Sequence, residues 1–350
     1  SLSWTDRLLP LFILLAIVGG TLIGNYVPEA SQNLNRILVS DVSLPLFIGL
    51  LVMMYPVLCK VEYERIGSIL RQRDFWYHSM VSFGFNWIIG PLVMTGLAWA
   101  TLPDLPDYRT GVILIGIARC IAMVLIWNEL ASGEKEYCAL LVAFNSILQI
   151  GLYAPLALLY IKVMAPASEG DRFHINYWIV ARSVLIFLGI PLGAAILTRF
   201  FFCFVIRRRT WYTKRFLPTI GPLALVGLLF TIVIMFISQG EAFIHRIGSV
   251  ARVSVPLLLY FPIMFFSTFY VCYRLRYSYA HCVTQSFTSA SNNFELAIAV
   301  AVATFGLDSP QALASVVGPL IEVPVLLALV YLCLWIRARY FQPSAKLSDA

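Results

Sequence analysis

Two short stretches gather most of the polar residues that lie inside apolar runs: Gly116-Ile117-Ala118-Arg119-Cys120 and Thr288-Ser289-Ala290-Ser291-Asn292-Asn293-Phe294-Glu295. Cys120 offers a soft, nucleophilic sulfur. Arg119 beside it is a permanent cation that must pair with a carboxylate or cap the carbonyls of a broken helix, and its charge favours a thiolate. Sequence neighbours on an intact helix face different directions, so the two act on one ligand only if the helix unwinds there. Ser291, Asn292 and Asn293 bring hydroxyl and amide groups that both donate and accept, and Glu295 brings a carboxyl that can take up and release a proton. Asn86, Asn145, Gln149, Tyr260 and Glu322 lie at similar depth in other apolar runs, Tyr260 between Pro256 and Pro262, Glu322 between Pro319 and Pro324. An ionisable group in hydrocarbon costs roughly 3 kcal/mol even on insertion scales, so Glu295 and Glu322 each need a partner or a task. Plainer readings stand beside these: an ion pair of Glu322 with Arg119 or a helix end, a structural role for Arg119, and simple packing for Cys120 and Tyr260.

A membrane domain must position these groups. Of the 350 residues 60% are hydrophobic and only 12% charged, and the mean hydropathy is +0.83, whereas soluble domains carry about 25% charged residues. Too few charges remain to cover a water-facing surface, which excludes a soluble globular enzyme. Apolar runs at 8–27, 43–58, 76–100, 110–128, 137–161, 178–203, 216–238, 250–272, 284–305 and 311–336 predict ten spans. The first is too long for a signal-peptide core and has no A-x-A-like site after it, so it is expected to be a true span. Alternate connections carry 17 Lys and Arg on one side and five on the other, which predicts cytoplasmic termini and an even number of spans. The net charge of +7, including the cluster Arg207-Arg208-Arg209, is therefore a topology signal and not a nucleic-acid surface. Seven cysteines without CxxC spacing or an even count indicate neither a disulfide framework nor a zinc cluster. Trp127 and Trp178, near span ends, read as interfacial belt residues.

Landmarks recur between the halves. Gly20 matches Gly193, Leu50-Leu51 matches Leu228-Leu229, Pro91 matches Pro262, Cys120 matches Asn293 and Pro155 matches Pro324, at offsets between 169 and 178. Leu- and Gly-rich helices align somewhere by chance, but a steady offset over five landmarks argues for a repeat. Five spans is an odd number, so the second copy enters the membrane from the opposite side. The predicted fold is an all-α polytopic membrane protein of ten transmembrane helices, a 5+5 inverted repeat. Residues 1–165 and 166–350 are its halves, joined in one membrane domain. Spans four and nine hold the two polar stretches and are expected to be discontinuous and to cross near the midplane, an architecture of transporters.

At these residues a resemblance appears. The stretch Gly116 to Val124, the stretch Ser289 to Leu296, Gly318-Pro319-Leu320-Ile321-Glu322-Val323-Pro324 and Asn86-Trp87-Ile88-Ile89-Gly90-Pro91 closely resemble the arsenite efflux transporters of the bile/arsenite/riboflavin transporter superfamily. The resemblance covers essentially the whole chain. Met53 to Lys60 and Cys138 are more similar to fungal than to bacterial members, although the connection Tyr273 to His281 is shorter than in fungal relatives.

The resemblance implies panel and core subdomains and export of arsenite in exchange for protons. It puts the functional cysteine and glutamate on Cys120 and Glu295, and further site residues on Arg119, Asn145, Ser291, Asn293 and Glu322. Arsenite near neutral pH is an uncharged trihydroxide of a thiophilic atom, which suits amide, hydroxyl and carboxyl groups around one thiol. A single thiol releases its ligand; three would trap it. The expected substrate-binding set is Cys120, Arg119, Asn86, Asn145, Ser291, Asn292, Asn293 and Tyr260, with Glu295 and Glu322 for proton coupling. No cofactor, permanent metal site, nucleic acid or obligate protein partner is expected, and the plasma membrane is the expected location. One rival keeps the fold and changes the cargo: a sodium-coupled organic anion symporter of the bile acid type, using oxygens of Ser291, Asn292 and Glu295 for sodium and a large amphipathic cavity. An intramembrane protease lacks support, because no Asp lies at membrane depth and His78, His174, His245 and His281 fall at span ends or in loops. Nothing specific points to a receptor or channel.

Overall fold

The computed structural model describes residues 4–34, 36–39, 42–61, 63–64, 73–121, 123–163, 176–307 and 309–341. Arg65, Arg71, Arg172, His174, Lys346 and the expected boundary between the halves at 165 lie outside the described residues.

Helix fills most of each expected apolar run, and the runs 110–128 and 284–305 are each interrupted by non-helical chain. Among the described residues six helices are long and apolar enough to cross a membrane: Trp76–Thr101, Lys135–Lys162, Tyr177–Val205, Arg209–Gly240, Ile247–Arg274 and Pro310–Phe341. Leu11–Tyr26, Leu44–Cys59 and Phe294–Phe305 are shorter apolar helices. Many large apolar side chains point outward, among them Leu15, Leu197, Val226 and Phe266, as a surface in lipid requires. Trp178 is likewise exposed at the start of its helix. The chain is thus an all-helical, multi-pass membrane protein.

Helix limits follow from capping. Ser278, Ser309 and Asn293 each accept a backbone N–H of the following turn, from His281, Ala312 and Leu296 respectively. The Ser278 cap explains why the helix Tyr279–Ala290 starts ahead of the expected 284. Pro106 at the first helical position, with Asp107 behind it, likewise moves a start expected at 110. Wide turns at Gly84–Ile89 and Leu185–Gly189 lead into Pro91 and Pro191. A proline lacks the N–H that a carbonyl one turn earlier would bond, and the widened turn absorbs the mismatch.

Packing gathers the helices into two groups. Trp4–Tyr26, Leu44–Cys59, Ile190–Phe200 and Leu217–His245 form one; Gly90–Thr101, Pro106–Ile117, Ile247–Arg274, Tyr279–Ala290, Phe294–Phe305 and Pro310–Ile336 form the other. Lys135–Leu158 packs on the second group through Tyr279–Ala290 and Pro106–Ile117, and Tyr177–Val184 packs on both Lys135–Leu158 and Phe294–Phe305. Polar clasps hold the ends. Arg199 grips Glu64 with two bonds of 2.7 and 2.8 Å, and Tyr212 donates to the Cys59 carbonyl at 2.8 Å. Elsewhere Arg252 forks onto Asp104, and its hydrogen bonds hold that carboxyl down at about 2.

One expectation needs correction. Trp127 is no belt residue: it is 1% exposed, because the short helix Met123–Leu130 is packed among Lys135–Leu158, Tyr279–Ala290 and Pro310–Ile336. Beside the helices, Leu38–Val39 and Val42–Ser43 form one short antiparallel pair, helped by β-branched Val39 and Val42, which leaves the all-helical class unchanged.

One close contact fixes how Phe294–Phe305 lies on Pro310–Ile336. The Phe294 ring sits where a side chain on Gly318 would begin. Gly318→Ala should therefore lower stability by about 1–3 kcal/mol through overpacking, read as a fall in the thermal unfolding midpoint in detergent. Gly19→Ala, with open space at its Cβ position, is the control and should leave the midpoint unchanged.

Candidate functional site

Two helices are broken at one place. The first runs over Pro106–Ile117, opens at Ala118 into an extended backbone and resumes as Met123–Leu130; the second runs over Tyr279–Ala290, opens at Ser291 and resumes as Phe294–Phe305. The residue types explain the breaks. The Arg119 side chain donates to the carbonyls of Gly116 and Ile117, taking acceptors that the next helical turn needs. Asn293 turns its side chain into a cap for the helix that follows.

Each break completes the other. Arg119 and Asn292 form an antiparallel backbone bridge, and the Asn293 N–H donates to the Ala118 carbonyl at 3.1 Å. Asn292 Nδ2 donates to the carbonyls of Ile115 and Ala118 at 2.9 and 3.1 Å. Backbone groups that water cannot reach are satisfied across the crossing, as irregular chain inside a membrane protein requires. The charges agree. Arg119 lies at the negative C-terminal end of Pro106–Ile117, and Glu295 occupies the first turn of Phe294–Phe305, where the dipole favours an anion.

Neighbouring helices brace the crossing. Gln149 Oε1 accepts the Arg119 backbone N–H, and Tyr153 donates to the Leu114 carbonyl at 3.1 Å. Arg119 Nη1 donates to the Tyr260 hydroxyl at 3.2 Å, with Gly90 so close that a Cβ there would press on both groups. Trp87 Nε1 donates to Asn145 Oδ1 at 3.0 Å. Of the expected residues, Tyr260 thus touches Arg119, and Arg119 makes no ion pair with Glu322 among the described residues.

The amides share one habit: each uses one end of its head group and leaves the other bare. Asn145 Nδ2, Gln149 Nε2 and Asn293 Nδ2 are buried donors without a partner, and Asn86 Oδ1, Asn292 Oδ1 and Glu322 Oε1 are buried acceptors without one. Ser291 Oγ has no partner closer than the Glu322 carboxyl it faces. Unsatisfied buried polar atoms cost about 1–3 kcal/mol each, so those on the crossing residues are available to a polar ligand, although others, such as Thr95 Oγ1 and Gln285 Oε1, lie elsewhere in the chain. Glu322 faces Ser291 and the backbone of Asn292, and Cys120 lies within electrostatic reach of Glu295 and Glu322. Among the described residues no group of three His, Cys, Asp or Glu is arranged to hold a metal ion.

A cavity of about 350 Å³ leads to the crossing. Met53, Val57, Met123, Leu225 and Leu228 line its wall, Lys60 and Glu129 stand at one end, and Glu295 forms part of the lining. Cys120 does not line it, although Met123, three residues on, does. Gln149 is the residue the sequence reading underused. Its spacing of four from Asn145 puts both on one helix face, and that was the available signal. Trp87 and the Lys60–Glu129 end carried no comparable mark.

A broken-helix crossing with a polar interior defines a membrane transporter. The Sodium Bile acid symporter family model matches residues 47–246. The chain is 44% identical to the "Arsenical-resistance protein Acr3" of Corynebacterium glutamicum, over 97% of this chain and 91% of that protein. Identity to an uncharacterized transporter of Synechocystis sp. is 33%, over 95% and 89%. With the "Arsenical-resistance protein Acr3" of Alkaliphilus metalliredigens it is 29%, over 94% and 92%. The chain belongs to the Sodium Bile acid symporter family and, within it, to the Acr3 arsenical-resistance proteins.

The Gln149 brace can be tested directly. Gln149→Leu strands the Arg119 N–H and should cost about 1–3 kcal/mol, seen as a lower thermal midpoint. Gln149→Glu keeps an acceptor oxygen and should lose less.

Proposed function

We propose that this chain exports arsenite from the cytoplasm in exchange for protons, binding it where the two broken helices meet. The observation that carries this reading is the crossing of the two broken helices, which supplies a thiol, Cys120, within electrostatic reach of Glu295 and Glu322, and unpartnered amide atoms on Asn292 and Asn293. A neutral trihydroxide presents three groups that each donate and accept, and matches such a set without a counter-charge. Its arsenic is soft and seeks sulfur. The Cys120 thiol can displace one hydroxide: an S–As bond forms, an As–OH bond breaks, and the thiol proton leaves with the hydroxide as water. The arsenic stays trivalent, and water reverses the step on release.

In this reading the ten helices form a 5+5 inverted repeat in the plasma membrane with both termini cytoplasmic. The Lys60–Glu129 end of the cavity then belongs to the Lys- and Arg-rich, cytoplasmic side, and arsenite reaches Glu295 from within the cell. Glu295, with Glu322 behind it, carries the proton. Protonation from outside and arsenite occupancy from inside exclude one another, so the crossing alternates between sides with one or the other. Each inward proton contributes about 2.3 kcal/mol per 100 mV.

Arsenite uptake into everted vesicles, with and without an imposed proton gradient, tests this. Wild type should accumulate arsenite only with the gradient. Cys120→Ala and Glu295→Gln, present in the membrane at normal levels, should lose at least about tenfold, the effect of roughly 1.4 kcal/mol. Accumulation that ignores the proton gradient, or coupling retained in Glu295→Gln, would refute the reading.

A further inference from the structure

The family name carries sodium, and beside the side-chain oxygens of Ser291, Asn292 and Glu295 the break offers a second set of the kind that holds it. In transporters built on discontinuous helices, sodium is coordinated by unwound carbonyls and by the C-terminal ends of half-helices. Here the half-helix Pro106–Ile117 ends at such a point, and its Gly116 and Ile117 carbonyls turn into the break. They do not fit a sodium ion, because a guanidinium already holds them: Arg119 donates through Nη2 to Gly116 O, through Nε to Ile117 O at 3.4 Å and through Nη1 to the Tyr260 hydroxyl at 3.2 Å. The group is wholly buried and enters no ion pair among the described residues. Its positive charge is balanced instead by the negative end of the helix it caps and by those oxygens.

We infer that Arg119 is a tethered cation standing where a sodium-driven relative would bind its ion. Carbonyl and hydroxyl oxygens at a half-helix end need one positive charge to stay buried together. A bound ion supplies it for part of a cycle and leaves; a guanidinium on the chain supplies it permanently. The break is then pre-organised in every state of the protein, and no sodium has to enter or leave for the crossing to form. Arg119 is a positioning residue in this role. Tyr260 and Gln149 serve it, one as an oxygen for the guanidinium and the other as a brace for its backbone.

The inference concerns the ion and not the cargo, so its test uses no arsenite and can fail independently of the export reading. Thermal unfolding of the purified full chain is followed in sodium chloride and in choline chloride at equal ionic strength. Wild type should unfold at the same temperature in both. Arg119→Ala leaves the oxygens without their cation but with room for an ion. It should be destabilised in choline and regain a shift of roughly 2–4 °C or more in sodium, saturating with concentration. Arg119→Met fills the space without charge and should be destabilised equally in both salts. Sodium stabilisation of the wild type would overturn the inference, because an ion would then have a site beside the guanidinium. An Arg119→Ala variant that sodium does not rescue, whether folded or not, would overturn it too.

Discussion

Carbonyl groups at membrane depth that have lost their next helical turn are the constraint on which the rest of this structure depends. In hydrocarbon no water can bond them, and each one left bare costs free energy comparable to a lost hydrogen bond. The chain meets the requirement twice over in one place. Asn292 and Asn293 from the second broken helix bond Ile115 and Ala118 of the first, and Arg119 covers Gly116 and Ile117. Neither break is stable without the other, so four helix ends are drawn together at a single point.

Chemistry at that point is a by-product of how the breaks are satisfied. An amide that spends its oxygen on a neighbour presents its NH2, and one that spends its NH2 presents its oxygen. Asn145 and Asn293 are of the first kind, Asn86 and Asn292 of the second. The result is a crossing that offers both donors and acceptors and whose Arg119 cation is already occupied. A neutral, multiply hydroxylated solute suits such a lining better than an anion, which would call for an unspent positive charge. Between the charged Lys60 and Glu129 and the buried Glu295 the cavity wall is largely apolar.

Much of this was legible in the sequence, and the reasons differ by residue. The Gly-Ile-Ala-Arg-Cys and Ser-Asn-Asn stretches announce breaks because their residue types compete with the helix for backbone bonds, and both helices do open inside them. Asn145 and Gln149 share a helix face by spacing alone. The particular bonds were not legible. That Arg119 would choose carbonyls over Glu322, and that Gln149 would hold its N–H, depends on which helices lie alongside, which a local pattern does not encode. Trp127 misled for the same reason: a tryptophan near a span end is usually interfacial, but this half-helix is enclosed by others. The contact of Phe294 with Gly318, the hairpin at Leu38–Ser43 and the cavity end at Lys60 and Glu129 are likewise tertiary outcomes.

X-ray absorption at the arsenic edge, on the purified chain loaded with arsenite, reads the coordination of the bound arsenic directly. One sulfur and two oxygen neighbours are expected, with the sulfur lost and oxygens in its place in Cys120→Ala. Three sulfur neighbours, or an unchanged sulfur contribution in that variant, would mean that arsenite is held elsewhere by other cysteines and that the crossing is not its binding site.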